Sequence, residues 1–536
     1  MLLAQSLLAS QKFEDRYYEF TTVPNTSYYH PQVRAYGGTV TIDWGDGNIE
    51  TGLECSQHNY VYKEYQHTYS VAGSYTVRIS TERNASFSIY CHSNSYFDTS
   101  TLSVTGSTKQ RGRDWSRAFY DMTETTTDGM PDVNTEHVTS LYFAFYDVDN
   151  ITTFPAYDTR NVTDFYFAFR DCTALTQFPD IKLDSAESTK YMFYNCQNIT
   201  STNMPTYNCP NLTDASYMFR RCYGLTTAPT LTNFAPSAIT GLFMDCVNLT
   251  SIPTLDLSNA TNLTYLFAGC ISLTSFPITS IPSNVTSISG LCQGLIQFNT
   301  FPYLDISNCT NAVYLFRYLS QNFTVPNWDY SNLINASYMF QFASGLTDSN
   351  MPSTSTLNLN FSNIINLQSF FQGTSITTAP NWDFSNITTV ESMFQDCTNL
   401  TTLPSTLNFS SATDVEEMFR GCLSLVTVPS GITWGSISIT DEMFNGCTLL
   451  ANFPAGVFDT GTLSGTSSRH RYQFQGCALT AQSIENILVS FNTNTNVVFN
   501  IYINAGTNAA YSTWSSTAIA AYNSLINKGT NIYYNT

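Results

Sequence analysis

Phenylalanines followed three residues later by a cysteine recur through this chain at a nearly fixed period. Phe169, Phe193, Phe219, Phe243 and Phe267 are 24, 26, 24 and 24 residues apart, and Phe394, Phe419 and Phe444 follow one another at 25. Each is followed by a leucine or isoleucine three or four residues after its cysteine. A period of 20–29 residues with fixed apolar slots marks units that cannot bury their apolar faces alone and must stack on their neighbours. Repetition of this kind leaves little room for an enzyme wrapped around one pocket.

By the Phe slot, fifteen units are expected: 119, 145, 169, 193, 219, 243, 267, Leu291, 316, 340, 371, 394, 419, 444 and 474. At one strand spacing per unit they would form a solenoid of about 70 Å. The intervals before Phe371 and Phe474, 31 and 30 residues, are long enough to hold surface insertions. Within a unit, the S/T-x-x-x-MF-x-x-C stretch is expected as a short helical turn, and the L-T-x-x-P and LDLSN-type stretches as short strands. The cysteine slot holds Cys172, Cys196, Cys222, Cys246, Cys270, Cys397, Cys422, Cys447 and Cys477, with Gly294, Leu319, Ala343 and Thr374 expected as substitutes. Replacement by such residues suits packing and would destroy a ligand set or a bridge. The slot therefore predicts buried free thiols made in a reducing compartment.

Charged residues are only 11 % of the chain, and aromatics are 14 %. That is too aromatic for a disordered chain. Asp+Glu at 40 against Lys+Arg at 21 gives a net charge of −19, which argues against nucleic-acid binding. No apolar run reaches the length of a membrane span, so no membrane insertion is expected. The opening MLLAQSLLASQKFEDRYYEF lacks a basic region and is read as a docking arm over residues 1–17, without an export signal. The remaining divisions expected are a β-sandwich over 18–106, the repeat array over 107–478 and a small α/β capping segment over 479–536.

In the second division, VRAYGGTVTIDWGDG and HTYSVAGSYTVRIS alternate apolar and polar residues as half-buried antiparallel strands do. Trp44-Gly45-Asp46-Gly47 together with H-T-Y-x-x-x-G-x-Y-T-V at 67–77 resembles the PKD domain, which implies an immunoglobulin-like β-sandwich. Asp43 and Asp46 are oxygen ligands suited to calcium, but further acidic ligands are missing nearby, and a turn held by aspartate hydrogen bonds is the simpler expectation. Cys55, His58, Cys91 and His92 have the side chains of a zinc site. Adjacent Cys91 and His92 on a strand would face opposite ways, so unpaired residues are expected, with a Cys55–Cys91 disulfide left open.

PNWDYSNLINASYMF at 326–340 and PNWDFSNITTVESMFQDCTNLTTLP at 380–404 resemble the BspA-type leucine-rich repeats of bacterial, protist and viral surface proteins. The resemblance spans roughly residues 110–477. It implies a mainly β fold: the N-terminal sandwich, then a leucine-rich-repeat solenoid of about fifteen coils. At the C-terminus, LTAQSIENILVSF places apolar residues at helical spacing behind Thr480 as N-cap. A strand at 497–503, a helix around 515–527 and a final NIYY strand are expected after it. This tail is similar to the C-terminal stretch of many bacteriophage structural proteins.

Catalytic signatures are missing: no G-x-S-x-G, HExxH, P-loop or dinucleotide fingerprint occurs. No cofactor, metal or catalytic residue is therefore expected. Glu416-Glu417 and Asp441-Glu442 are read as solvated surface, and Trp328, Trp382 and Trp434 as packing within the repeats. The resemblances imply a non-enzymatic virion structural protein of a bacteriophage, a fibre, spike or capsid or tail appendage used in host recognition or assembly. It would join other virion proteins through its N-terminal region and meet a host surface glycan or protein. The alternative is a BspA-type adhesin on a bacterial cell surface. Ligand identity and oligomeric state, including a homo-oligomer, stay open.

Overall fold

The computed structural model describes residues 17–22, 32–36, 39–54, 63–65, 67–71, 75–81, 86–90, 136, 138–149, 151–154, 156–351, 363–459, 463, 470–494 and 499–536. Two compact units divide the chain: residues 1–262 with 269–278, and residues 263–268 with 279–536.

The first unit begins with seven strands: β1 (Tyr17–Thr22), β2 (Gln32–Tyr36), β3 (Thr39–Asp43), β4 (Ile49–Glu54), β5 (Lys63–Tyr65), β6 (Tyr75–Thr81) and β7 (Ser86–Tyr90). They form a four-stranded sheet, β1-β6-β3-β4, and a three-stranded sheet, β5-β2-β7, with antiparallel pairing throughout. In β3, Val40 and Ile42 are buried while Thr39, Thr41 and Asp43 are half-buried, the alternation of a strand with one covered face.

The repeats of the first unit stack through their backbones. Phe165, Phe167, Phe169 and Asp171 donate amide hydrogens to the carbonyls of Ser188, Lys190, Met192 and Tyr194 in the next repeat, at 2.8–3.1 Å. The intervening amides turn inward: Ala168 donates to Phe165, Arg170 to Phe167 and Cys172 to Phe169, at 3.0–3.4 Å. Every second peptide thus points along the stack and the others close i to i+3 turns. Phe145, Phe169, Phe193, Phe219 and Phe243 form one column, with ring centroids 5.1, 5.4, 5.9 and 5.5 Å apart and planes within 14°. All five are 0 % exposed.

The second unit repeats the design. Phe316, Phe340, Phe371, Phe394, Phe419, Phe444 and Phe474 stack at 5.2–6.0 Å with planes within 13°. The long intervals before Phe371 and Phe474 leave this register intact. The Leu291 assignment shifts by one residue. Gly290, Cys292 and Gly294 donate to Val313, Leu315 and Arg317, so Cys292 fills the Phe slot, and the cysteine slot falls on Leu295, not Gly294.

The expected mainly β fold, a sandwich followed by a leucine-rich-repeat solenoid, is not what the chain adopts. Helix accounts for 7 % and strand for 13 % of it, in a few short sheets. The N-terminal strands form two small sheets. In the repeats, β8 (Thr206–Asn208) pairs with β9 (Thr230–Thr232) and β10 (Asn408–Phe409) with β11 (Thr433–Trp434), and elsewhere among the described residues the strand pairings are isolated single-residue bridges. Among the described residues the expected helical turn is also absent from the repeats. The residues two before and two after the ladder Phe are left-handed, for example Phe167 (φ 57°) and Asp171 (φ 61°), Tyr191 (56°) and Asn195 (62°), Tyr217 (59°) and Arg221 (62°). Such residues end both helix and strand. Each costs roughly 1–2 kcal/mol outside glycine, which the stacking of one repeat on the next offsets.

The C-terminal segment holds α1 (Ala481–Thr493), β12 (Asn500–Ile503), α2 (Ser516–Asn527) and β13 (Asn531–Tyr534), with β12 and β13 parallel. Thr480 caps α1 by accepting the Ser483 amide, and Ile484, Ile487, Leu488 and Phe491 form its buried stripe. Phe474 and Gly476 donate to the carbonyls of Tyr502 and Asn504, each at 3.0 Å. The outward-pointing amides of the final repeat therefore end on this segment.

Candidate functional site

The WGDG turn uses its own carboxylates. Asp43 accepts the Gly45 amide and Asp46 the Asn48 amide, each at 3.0 Å, and the other Asp46 oxygen lies 2.7 Å from His67 Nε2. Burial acts to raise the Asp46 pKa, but the hydrogen bonds from His67 and the Asn48 amide outweigh it and hold the carboxyl below its ordinary value. His67 stacks on buried Trp44 at 5.2 Å, and Tyr69 donates its hydroxyl to the Trp44 carbonyl at 2.8 Å. These bonds hold the turn together. No group of three or more His, Cys, Asp or Glu able to hold a metal occurs among the described residues. Cys55, His58, Cys91, His92 and the arm before Tyr17 lie outside them.

The cysteine slot is filled by free, buried thiols. Cys172, Cys196, Cys222, Cys246 and Cys270 donate to the carbonyls of Phe145, Phe169, Phe193, Phe219 and Phe243, at 3.0–3.1 Å. In the second unit Cys397, Cys422, Cys447 and Cys477 do the same toward Phe371, Phe394, Phe419 and Phe444, at 3.0–3.2 Å. Burial pushes the thiols of Cys246 and Cys447 up to about 12. They are inert packing groups, not nucleophiles.

Polar and aromatic side chains project from the positions flanking the Phe column. In the first unit, Phe143, Phe167, Tyr191 and Tyr217 form a second ring column at 4.5, 4.7 and 4.8 Å. Beside it, the Arg170 guanidinium lies 4.7 Å from the Phe167 and Tyr194 rings and 5.3 Å from Tyr146, while its Nε donates to Asp171 at 2.9 Å. Arg220 lies over Tyr194 and Tyr217 and pairs with Asp245 at 3.3 Å. Tyr146, Arg170, Tyr194, Arg220 and Tyr217 are half-buried. Tyrosine and arginine presented this way are the residues on which protein contacts concentrate.

In the second unit several of the corresponding positions carry amides and acids. Gln341 donates to Gln372 and Gln372 to Gln395, both at 2.5 Å, a buried amide column that sequence reading missed. Arg420 joins Glu417 at 3.3 Å and Glu442 at 2.8 Å, and Arg471 joins Asp441 at 2.8 Å. The Glu416-Glu417 and Asp441-Glu442 pairs are not simply solvated. Asp441 is 3 % exposed, and burial together with Glu391, Asp414, Asp441 and Glu417 raises the Glu416 pKa to about 7. Trp328 and Trp382 are buried, with Trp328 Nε1 donating to the Pro302 carbonyl at 2.9 Å, and Trp434 is half-buried on Phe409. A cavity of about 490 Å³ beside the start of α1, reached by Ser405, Thr427, Asn452 and Asn486, has no charged lining side chain.

No helix among the described residues is long and apolar enough to cross a membrane. Residues 113–233, 237–352 and 347–454 match a family model described as Mycoplasma protein of unknown function, DUF285. No curated protein matches the chain.

Proposed function

The chain belongs to the DUF285 family, and from that footing we propose that it is a non-enzymatic virion structural protein of a bacteriophage, a fibre, spike or capsid or tail appendage. Its PKD-like N-terminal region joins other virion proteins. The repeats, followed by a phage-type C-terminal segment, engage a host surface glycan or protein or serve particle assembly. The observation that carries this reading is the outward tyrosine–arginine face around Arg170, Tyr194 and Arg220, ordered by the repeat and half open to solvent. The reduced thiol columns support manufacture in the host cytoplasm, since the repeats hold together without oxidation.

A second reading, a BspA-type adhesin at a bacterial cell surface, is favoured by the kinship of the repeats themselves. Mass spectrometry separates the two. Recovery of the protein in gradient-purified particles supports the virion reading, and recovery only in washed bacterial envelopes supports the adhesin. Substituting Arg170→Ala with Tyr194→Ala should weaken attachment in either setting; attachment unchanged in the doubly substituted protein would remove the proposed face.

A further inference from the structure

Four repeats place an arginine directly after the ladder aromatic: Arg170, Arg220, Arg317 and Arg420. Three have a carboxylate partner at a flanking position: Asp171 for Arg170, Asp245 for Arg220, Glu417 and Glu442 for Arg420, at 2.8–3.3 Å. Around Arg317 the same positions hold Tyr314, Tyr318, Tyr338 and Phe342. Its guanidinium lies 4.9 Å from the Tyr314 ring and 4.3 Å from Tyr318. Tyr338 stands 4.9 Å from Tyr314, and Phe342 stacks on Tyr318 at 5.6 Å. No carboxylate is in ion-pair contact with Arg317 among the described residues.

The unmet demand has a definite chemistry. Arg317 Nε is a buried donor without a partner, and Gln293 and Gln341, its neighbours one repeat before and one after, each hold a buried amide oxygen without a donor. A carboxylate approaching from the solvent side satisfies the cation, and the aromatic edges around it suit the C–H faces of a sugar ring. Tyr318, 43 % exposed, and Phe342, 36 % exposed, offer apolar edges at the surface.

We propose that Arg317, framed by Tyr314, Tyr318, Tyr338 and Phe342, is a binding site for the carboxylate of an acidic sugar. The site deepens the attachment reading and takes its setting from it. Binding is measured on the isolated full chain, so its failure leaves particle incorporation and the Arg170 face untouched.

The experiment is calorimetric titration with oligogalacturonate and sialyllactose, using their methyl esters as uncharged controls. At least one acid should bind, its ester should bind about tenfold or more weakly, and Arg317→Gln should lose the difference, because a charge-assisted hydrogen bond is worth at least that factor. Tyr338→Glu keeps the arginine and recreates the Arg420–Glu442 arrangement. It should abolish acid binding while the protein stays folded, which covers the case in which Arg317→Gln does not fold. Absence of binding by both acids, equal binding of acid and ester, or full binding in Tyr338→Glu would each overturn the site.

Discussion

Cys196 Sγ donates to the carbonyl oxygen of Phe169, one repeat earlier, at 3.0 Å. The same bond joins each cysteine of the column to the phenylalanine before it. It ties two repeats together without covalent chemistry, and it exists only while the thiol keeps its proton.

Alkaline conditions should therefore loosen the fold. Folded thiols are raised from an ordinary value of 9.0 to about 12 at Cys246 and about 11 at Cys397, chiefly by burial. Between pH 9 and 11 the unfolded chain loses protons that the folded chain retains, so the thiols' contribution to stability falls as pH rises and is constant below that window. Thermal midpoints measured from pH 7 to 11 should bend downward above 9. Iodoacetamide at pH 8 should leave Cys246 unmodified until denaturant is added, whereas rapid labelling of the native protein would contradict the burial.

Removing one ring from the Phe column should be costly. Phe219 lies 5.9 Å from Phe193 and 5.5 Å from Phe243, fully buried. Phe219→Ala leaves a cavity between two repeats and should cost about 3–5 kcal/mol in urea denaturation. A loss below 1 kcal/mol would mean the column does not hold the first unit together.

Gly241 interrupts the second ring column because Tyr217 already occupies its space. A Cβ there would lie 2.5 Å from Tyr217 Cε1, at a left-handed φ of +58°. Gly241→Ala should destabilise by roughly 1–3 kcal/mol. Adding Tyr217→Ala should recover the steric part, giving clear non-additivity in a double-mutant cycle. Strict additivity would sink this account.

Much of the register is legible from the residues, and the local geometry is not. The Phe and Cys slots identify the two inner columns, because an apolar side chain facing a neighbour must recur at the repeat length. The spacing of Phe169 and Cys172 fits a helical turn as well as the observed i to i+3 turns, and left-handed residues such as Tyr191 or Glu417 carry no glycine to betray them. Leu291 looked like a ladder residue only because a hydrophobic residue sits beside Cys292. The Gln341–Gln372 contact crosses a 31-residue interval, so its column vanishes from any fixed-period alignment. Arg317 was missed because its signature is an absence: aromatic residues where other repeats keep carboxylates.

Acidification should tighten the repeats around Glu416. Burial and the neighbouring Glu391, Asp414, Asp441 and Glu417 raise this acid from 4.5 to about 7. The folded chain then binds more protons than the unfolded chain between those values, so stability falls as pH rises from 4.5 to 7. Hydrogen exchange, corrected for intrinsic rates, should show the Val415 and Glu417 amides better protected at pH 5 than at pH 8. Glu416→Gln should flatten that difference; an unchanged difference would assign the effect elsewhere.

Disulfide trapping on an outer column asks whether residues one period apart truly lie side by side. The Thr250 amide and hydroxyl both meet the Thr226 carbonyl at 2.8 Å, and both threonines are exposed. One strand spacing, about 4.8 Å, falls inside the Cα separation a disulfide accepts. Under mild oxidation, Thr226→Cys with Thr250→Cys should cross-link nearly completely in the native protein, and Thr226→Cys with Thr261→Cys should not. Cross-linking of both pairs alike, or of neither, would show that successive repeats do not stack in the register described.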